Sequence, residues 1–130
     1  MKLWLKGKNG DWKLFENVTP SDLESRNIKI SDRATVGDWA TVGDGATVGD
    51  RATVEKTIDC VVIGPIGSRE SMLTGYSRAK EIWIGTGCFI GSIEKFRSAV
   101  KEKCAGTKFE LDYLAALTYI ESRLNMAREP

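Results

Sequence analysis

The sequence contains no histidine, and this absence excludes several kinds of active site. Histidine is the commonest general base near neutral pH, the usual partner of a serine or cysteine nucleophile, and the usual nitrogen ligand of zinc. The three cysteines, Cys60, Cys88 and Cys104, are an odd number without metal-ligand spacing. We interpret them as free thiols in a reducing compartment. We therefore predict no catalytic residue, no bound metal and no cofactor.

An excess of charge and long apolar runs are missing as well. The chain has 19 Lys and Arg against 18 Asp and Glu, a net charge of +1, which argues against duplex nucleic acid or an anionic membrane as the main partner. Its longest apolar runs, such as residues 61–63, are far too short to cross a bilayer, and the first residues return to charge too soon for a signal peptide. These features predict a cytoplasmic protein.

A six-residue repeat, written RATVGDWATVGDGATVGDRATV over residues 33–54, is the main pattern that the sequence does contain. A period of six fits neither a helical stripe nor a simple extended strand. It fits a chain that turns a corner every six residues, with Ile or Val pointing inward, Ala where the walls come close and Gly-Asp at the corner. Three such sides would close one coil of about 18 residues, so Asp32 and Asp50 would lie one coil apart on the same edge, about 4.8 Å between stacked strands. Arg33 and Arg51 would stack beside them and soften that repulsion.

The flanking segments have other periods. Residues 2–16 predict a β-hairpin that turns at Asn9-Gly10. From about residue 71 we expect three short strands, then a helix over 93–103 capped by Ser92, and a second helix that ends near Met126. The predicted fold is mainly β with α: a short left-handed parallel β-helix of about two coils, an N-terminal hairpin, and a small C-terminal α+β unit with two helices. The predicted divisions are 1–29 (hairpin and connector), 30–66 (hexapeptide β-helix) and 67–130 (α+β unit).

The segment 63–69, Ile-Gly-Pro-Ile-Gly-Ser-Arg, lies where the repeat ends and has two possible interpretations. Its glycines would let backbone N–H groups approach an oxyanion, while Ser68 donates and Arg69 offers a planar fork suited to phosphate. The alternative is a tight turn in which Arg69 pairs with Glu70 or an aspartate of the repeat. A second candidate is Thr86-Gly-Cys-Phe-Ile-Gly, whose backbone could line a pocket, although Cys88 has no histidine to activate it. The candidate ligand-binding residues are Gly64, Gly67, Ser68, Arg69, Thr74, Thr86, Gly87 and Cys88.

These motifs carry two resemblances. Residues 30–65 resemble the hexapeptide-repeat, left-handed β-helix superfamily, best known for acyltransferases and a zinc carbonic anhydrase; both depend on histidines, so the resemblance implies the fold and not the catalysis. The chain from about 30 to 125 is similar to phage and prophage proteins in which a hexapeptide stretch precedes Gly-Pro-x-Gly-Ser-Arg, Leu-Thr and Thr-Gly-Cys-Phe-x-Gly. Here these motifs occupy residues 64–69, 73–74 and 86–91.

The resemblances imply three functions. The first is a non-enzymatic homotrimer of phage type, cytoplasmic in an infected bacterial host, that binds a small anionic ligand. By analogy with phage sponge proteins, this ligand would be a nucleotide immune signal such as a cyclic nucleotide or a cyclic ADP-ribose-type messenger, held by Arg69 and stacked on Trp39, Tyr76, Trp83 or Phe89. The second is a structural trimerisation module of a phage particle. The third is an acyltransferase-like hexapeptide enzyme.

Overall fold

The structure is a computed structural model that describes residues 1–38, 40–54, 59–67, 69–86 and 89–128. Its elements are β1 (Leu3–Lys6), β2 (Trp12–Phe15), α1 (Pro20–Glu24), β3 (Lys29–Ile30), β4 (Thr35–Val36), β5 (Ala40–Thr41), β6 (Thr47–Val48), β7 (Ala52–Val54), β8 (Cys60–Ile66), β9 (Ser71–Arg78), β10 (Glu81–Gly85), β11 (Ile90–Ser92), α2 (Ile93–Lys103) and α3 (Lys108–Arg128).

The predicted fold class is wrong, because the repeat does not form a two-coil parallel β-helix. Its strands are two or three residues long and belong to three sheets of mixed direction. Two pairs are parallel at an offset of eighteen residues, β3 with β6 and β4 with β7. Among the described residues the stacking does not continue beyond these two pairs: β5 pairs with β1 of the N-terminal hairpin, and the other side of β7 pairs antiparallel with β9. The segment that was expected to extend the repeat forms β8 instead, antiparallel to β9.

The reason for this correction lies in the small size of the repeat. Stacked repeats bury a core only when several neighbours and caps are present, and strands of two residues contribute few backbone hydrogen bonds. Longer strands from outside the repeat therefore complete the walls. Most inward positions of the repeat are nevertheless buried, although Ile30, Ala34 and Val36 are only partly so. With the hairpin they form a first core, whose buried residues are Leu3, Leu5, Ile28, Ala40, Val42, Ala46, Val48, Ala52, Val54, Cys60 and Tyr76.

The C-terminal half is a four-stranded meander covered by two helices. β8, β9, β10 and β11 pair antiparallel in that order. Ser92 caps α2 as predicted, since its side chain accepts a hydrogen bond from the Lys95 amide at 3.2 Å. The helices cover one face of the meander and create a second core, made of Val61, Leu73, Ile82, Ile84, Ile93, Phe96, Val100, Ala116, Leu117, Ile120 and Leu124.

Strand β9 belongs to both cores. Leu73 packs in the helical core, whereas Tyr76 packs in the core of the repeat. Gly75 lies so close to α3 that a methyl group in its place would come 2.3 Å from Ile120 Cγ2. The opposite faces of one strand therefore join the repeat to the helices. Among the described residues, no helix is long and apolar enough to span a bilayer.

Candidate functional site

A groove of about 950 Å³ runs along the repeat where α1 and the hairpin of β9 and β10 meet it, and we name it the arginine groove. Its lining residues are Pro20, Leu23, Glu24, Ile28, Lys29, Ile30, Ser31, Arg33, Thr47, Val48, Gly49, Asp50, Arg51, Arg78, Trp83 and Ile90. The volume lies in the range of pockets that hold small molecules. The wall therefore combines apolar side chains with cations.

The repeat supplies the first pair of cations. Ile30 pairs with Val48 in the parallel register. Arg33 and Arg51 follow three residues later, so they lie at equivalent corners of two paired six-residue repeats. Ser31 Oγ donates a hydrogen bond to Asp50 Oδ1 and ties these corners together. In the part of the chain that the structure describes, neither guanidinium forms an ion pair. Two guanidinium groups at neighbouring corners, neither of them in an ion pair among the described residues, would favour an anion between them.

The β9–β10 hairpin supplies the third guanidinium together with an aromatic ring. The guanidinium carbon of Arg78 lies 3.7 Å from the centre of the Trp83 ring, which is a close cation–π contact. Trp83 Nε1 donates toward Glu81 Oε2 at 3.4 Å. Stacking restricts the Arg78 side chain, so its N–H groups are partly ordered before any ligand arrives.

A buried phenol lies beneath the groove floor. Tyr76 is fully buried, and within the described residues its hydroxyl has no hydrogen-bond partner of normal geometry. A methyl group on Gly49 would lie 2.5 Å from this oxygen and 3.3 Å from Ile90 Cγ2, so the hydroxyl ends beside two groove-lining residues. Burial raises the pKa of Tyr76, while Arg78 and the Gly49 backbone act in the opposite direction. The phenol therefore stays protonated near neutral pH and is a hydrogen-bond donor.

Helix α1 completes the groove with little apolar burial of its own, since none of its residues is fully buried. A capping box fixes its first turn: Thr19 N donates to Asp22 Oδ2 at 2.9 Å, and Asp22 N donates to Thr19 Oγ1 at 3.1 Å. The hydrogen bonds from Thr19 hold the pKa of Asp22 below its ordinary value.

The groove as a whole has an excess of positive charge. Four cationic side chains line it, together with two carboxylates, those of Glu24 and Asp50.

The structure does not bring the sequence-predicted site residues to one place. Gly64 lines a smaller cavity of about 390 Å³ that faces α3, and Gly67 N donates to Asp112 Oδ2 at 2.9 Å. The amide that we assigned to a ligand oxyanion therefore already binds a carboxylate of the chain. Arg69 is exposed at the same turn, outside the arginine groove.

The two predicted threonines make structural hydrogen bonds. Thr74 is fully buried, and its Oγ1 accepts from the Thr47 amide at 2.9 Å. Thr86 Oγ1 accepts from the Phe89 amide at 3.0 Å within the β10–β11 turn. The remaining predicted residues, Ser68, Gly87 and Cys88, lie outside the described residues.

Sequence reasoning assigned the groove residues only in part. It predicted that Arg33 and Arg51 stack, but it centred the site on Arg69. The stacking candidates were Trp39, Tyr76, Trp83 and Phe89: Trp83 lines the groove, Tyr76 and Phe89 do not, and Trp39 lies outside the described residues. The missed signal was the variable position of the repeat, where arginine recurs after eighteen residues. Arg78 had no local signal, because antiparallel pairing of β7 with β9 sets it opposite Ala52.

The comparisons with known proteins identify no matching family, no similar curated protein and no similar solved structure. No group of three or more His, Cys, Asp or Glu side chains within the described residues is arranged to hold a metal ion. Cys60 is buried, and burial raises the pKa of its thiol to about 12, with Asp59 adding to the effect. The arginine groove is therefore the site that the described geometry supports best.

Proposed function

We propose that this chain is a non-enzymatic binding protein that sequesters a small phosphate-bearing ligand of the nucleotide class in the arginine groove. The observation that carries the proposal is the combination of three guanidinium groups and an aromatic ring around one groove of about 950 Å³. Guanidinium forks match phosphate oxygens, and an aromatic wall matches a base. The phage setting, the cytoplasm of an infected host and the nature of the ligand as an immune signal belong to this proposal.

In this proposal, the phosphate lies between Arg33 and Arg51, and the base lies toward Trp83 and Ile90. Arg78 is stacked on Trp83 and thus stands between the polar and aromatic parts. Two supporting observations are that Arg33 and Arg51 form no ion pair among the described residues, and that the buried Tyr76 hydroxyl ends beside the groove-lining residues Gly49 and Ile90. Bound phosphate would reduce the repulsion between the two arginines.

The proposal predicts that Arg51→Met weakens binding while the chain stays folded. Methionine keeps an apolar side chain of similar length but removes the charge and the donors. We expect the dissociation constant to rise at least about tenfold, because hydrogen bonds to charged groups contribute roughly 1.5–3 kcal/mol. Isothermal titration calorimetry with mononucleotides, cyclic mononucleotides, cyclic dinucleotides, diphosphate and inorganic phosphate measures this change.

The matched control is Arg69→Met, which removes the same group from the turn outside the groove. Binding at wild-type strength in this variant, together with its loss in Arg51→Met, supports the groove. The reverse pattern assigns the ligand to the 64–69 turn and contradicts the groove. If no member of the panel binds to the wild-type chain, the proposed function is wrong.

A further inference from the structure

Strand β9 brings two hydrogen-bond donors to the same end of the arginine groove. Tyr76 and Arg78 are two residues apart on this strand, so their side chains leave the same face of it. Trp83 is opposite Tyr76 in the register of β9 and β10, and the Arg78 guanidinium stacks on its ring. Burial raises the pKa of Tyr76, and the positive charge of Arg78 acts against this effect. The phenol and the guanidinium are therefore close enough to interact with one ligand group.

Both donors lack a hydrogen-bond acceptor in the part of the chain that the structure describes. The Tyr76 hydroxyl is buried and makes no hydrogen bond of normal geometry, which is rare for a buried polar atom. The Arg78 side chain contacts the tryptophan ring but forms no hydrogen bond or ion pair among the described residues. A phenol has one proton to donate, and a guanidinium has only donors. The pair therefore fits an oxygen acceptor that comes from outside the chain.

Two carboxylates near this pair have other hydrogen-bond partners. Glu81 is opposite Arg78 in the register of β9 and β10, but its Oε2 accepts from Trp83 Nε1 at 3.4 Å. Asp50 acts on the pKa of the phenol, yet its Oδ1 accepts from Ser31 Oγ. Among the described residues neither carboxylate forms an ion pair, and the remaining carboxylate of the groove lies on α1. These groups therefore do not supply the missing acceptor.

The absence of a side chain at Gly49 leaves a path from the groove to the phenol. A Cβ atom on Gly49 would lie 2.5 Å from Tyr76 Oη, so an acceptor just outside this point is within hydrogen-bond distance of the hydroxyl. The same Cβ atom would lie 3.3 Å from Ile90 Cγ2, and Ile90 is 53% exposed. Rotation of the isoleucine side chain to another staggered conformation would therefore uncover the hydroxyl.

We propose that Tyr76 and Arg78 bind a second acceptor group of the ligand, in addition to the phosphate between Arg33 and Arg51. Arg78 is opposite Ala52 in the register of β7 and β9, so the two groups are separated by about one strand spacing, ~4.8 Å. This inference rests on the proposed function, because it concerns the same groove.

An oxygen of a second phosphate and the carbonyl edge of a base both offer acceptors to a guanidinium. The amino group of adenine offers a donor instead and does not fit. The ligand class is therefore a nucleotide that carries either two phosphate groups or a carbonyl-bearing base such as guanine.

Isothermal titration calorimetry of Tyr76→Phe tests this inference. The probes are AMP, ADP, cyclic di-AMP and GMP, which differ in the number of phosphates or in the base. We expect the wild-type chain to bind ADP, cyclic di-AMP or GMP at least about tenfold more tightly than AMP, and Tyr76→Phe to lose most of this preference. A preference for ADP or cyclic di-AMP that depends on the hydroxyl identifies a phosphate at the phenol, and one for GMP identifies a base carbonyl.

Tyr119→Phe is the matched control, because it removes the same hydroxyl from an exposed ring outside the groove and should bind like the wild-type chain. The inference is wrong if Tyr76→Phe keeps the wild-type affinities, or if the wild-type chain binds all four nucleotides equally; the proposed function stands in both cases. A marked loss of thermal stability in Tyr76→Phe would reveal an internal acceptor and would also contradict the inference. If none of the four nucleotides binds, the inference and the proposed function are both wrong.

Discussion

Tyr76 and Gly49 show how single residues set the shape of the groove floor. The phenol is fully buried, and its oxygen lies where a side chain on residue 49 would be. Because the Tyr76 hydroxyl makes no hydrogen bond of normal geometry among the described residues, it keeps most of the cost of its lost hydration and contributes little to stability beyond the packing of its ring. The Tyr76 hydroxyl is therefore better explained by a role at the groove floor than by a contribution to the stability of the fold.

This arrangement gives a prediction for two substitutions. Tyr76→Phe should leave the free energy of unfolding unchanged or raise it by up to about 1 kcal/mol, since only an unpaired polar atom is lost. Gly49→Ala should lower it by about 1–3 kcal/mol, because the new methyl group meets Tyr76 Oη at 2.5 Å. Urea denaturation measures both effects.

The double variant is the control for this prediction. Removing the hydroxyl removes the nearest clash, so Tyr76→Phe should recover part of the loss caused by Gly49→Ala. A loss of more than about 1 kcal/mol for Tyr76→Phe alone would show that the hydroxyl has a partner and would contradict this account.

At the scale of elements, the sequence correctly predicted those features that depend only on residues close together in the chain. The hairpin turn at Asn9-Gly10 and helix α2 after Ser92 are both present, since a positive φ at Gly10 and a capping side chain act within a few residues. The pairing of the repeat strands was predicted wrongly. A strand of two residues makes too few hydrogen bonds to determine which strand it pairs with. Its partners here, β1 and β9, lie far away in the sequence, so no local pattern indicates them.

The cap of α2 gives the prediction at this scale. Ser92→Ala should lower the free energy of unfolding by about 1 kcal/mol, because the Lys95 amide loses its acceptor. Ser98→Ala is the matched control: this serine is exposed within the same helix, so the change should be neutral or slightly stabilising. Thermal unfolding distinguishes the two variants, and equal effects would contradict the assigned cap.

At the scale of the molecule, two cores share one strand. Because Leu73 and Tyr76 lie on β9 but pack in different cores, loss of either core removes support from the other. The sequence suggested three divisions of the chain, since composition and period change near residues 30 and 67. The sequence could not predict the shared strand. Leu73 and Tyr76 point to opposite faces of β9, but the sequence does not show that each face packs against a different part of the chain.

The shared strand predicts one cooperative unfolding transition. All four tryptophans occur at or before residue 83, whereas α2 and α3 begin later, so fluorescence reports the repeat side and far-UV circular dichroism reports the helices. The two curves should coincide in urea. Leu73→Ala should shift both by the same amount, with a cost of about 2–5 kcal/mol. Two separated transitions would show that the cores unfold independently.

The position of β9 also has a practical consequence for anyone who divides the chain. A fragment ending after residue 66 would retain every six-residue repeat. It would lose the Thr74 oxygen that accepts from the Thr47 amide and the Tyr76 ring that packs in the core of the repeat. The complementary fragment would keep β9, β10 and β11 with the two helices, but the face of β9 that packs on the repeat would be uncovered. Neither piece should be obtained folded by itself, and tags or fusion partners are best attached at the two ends.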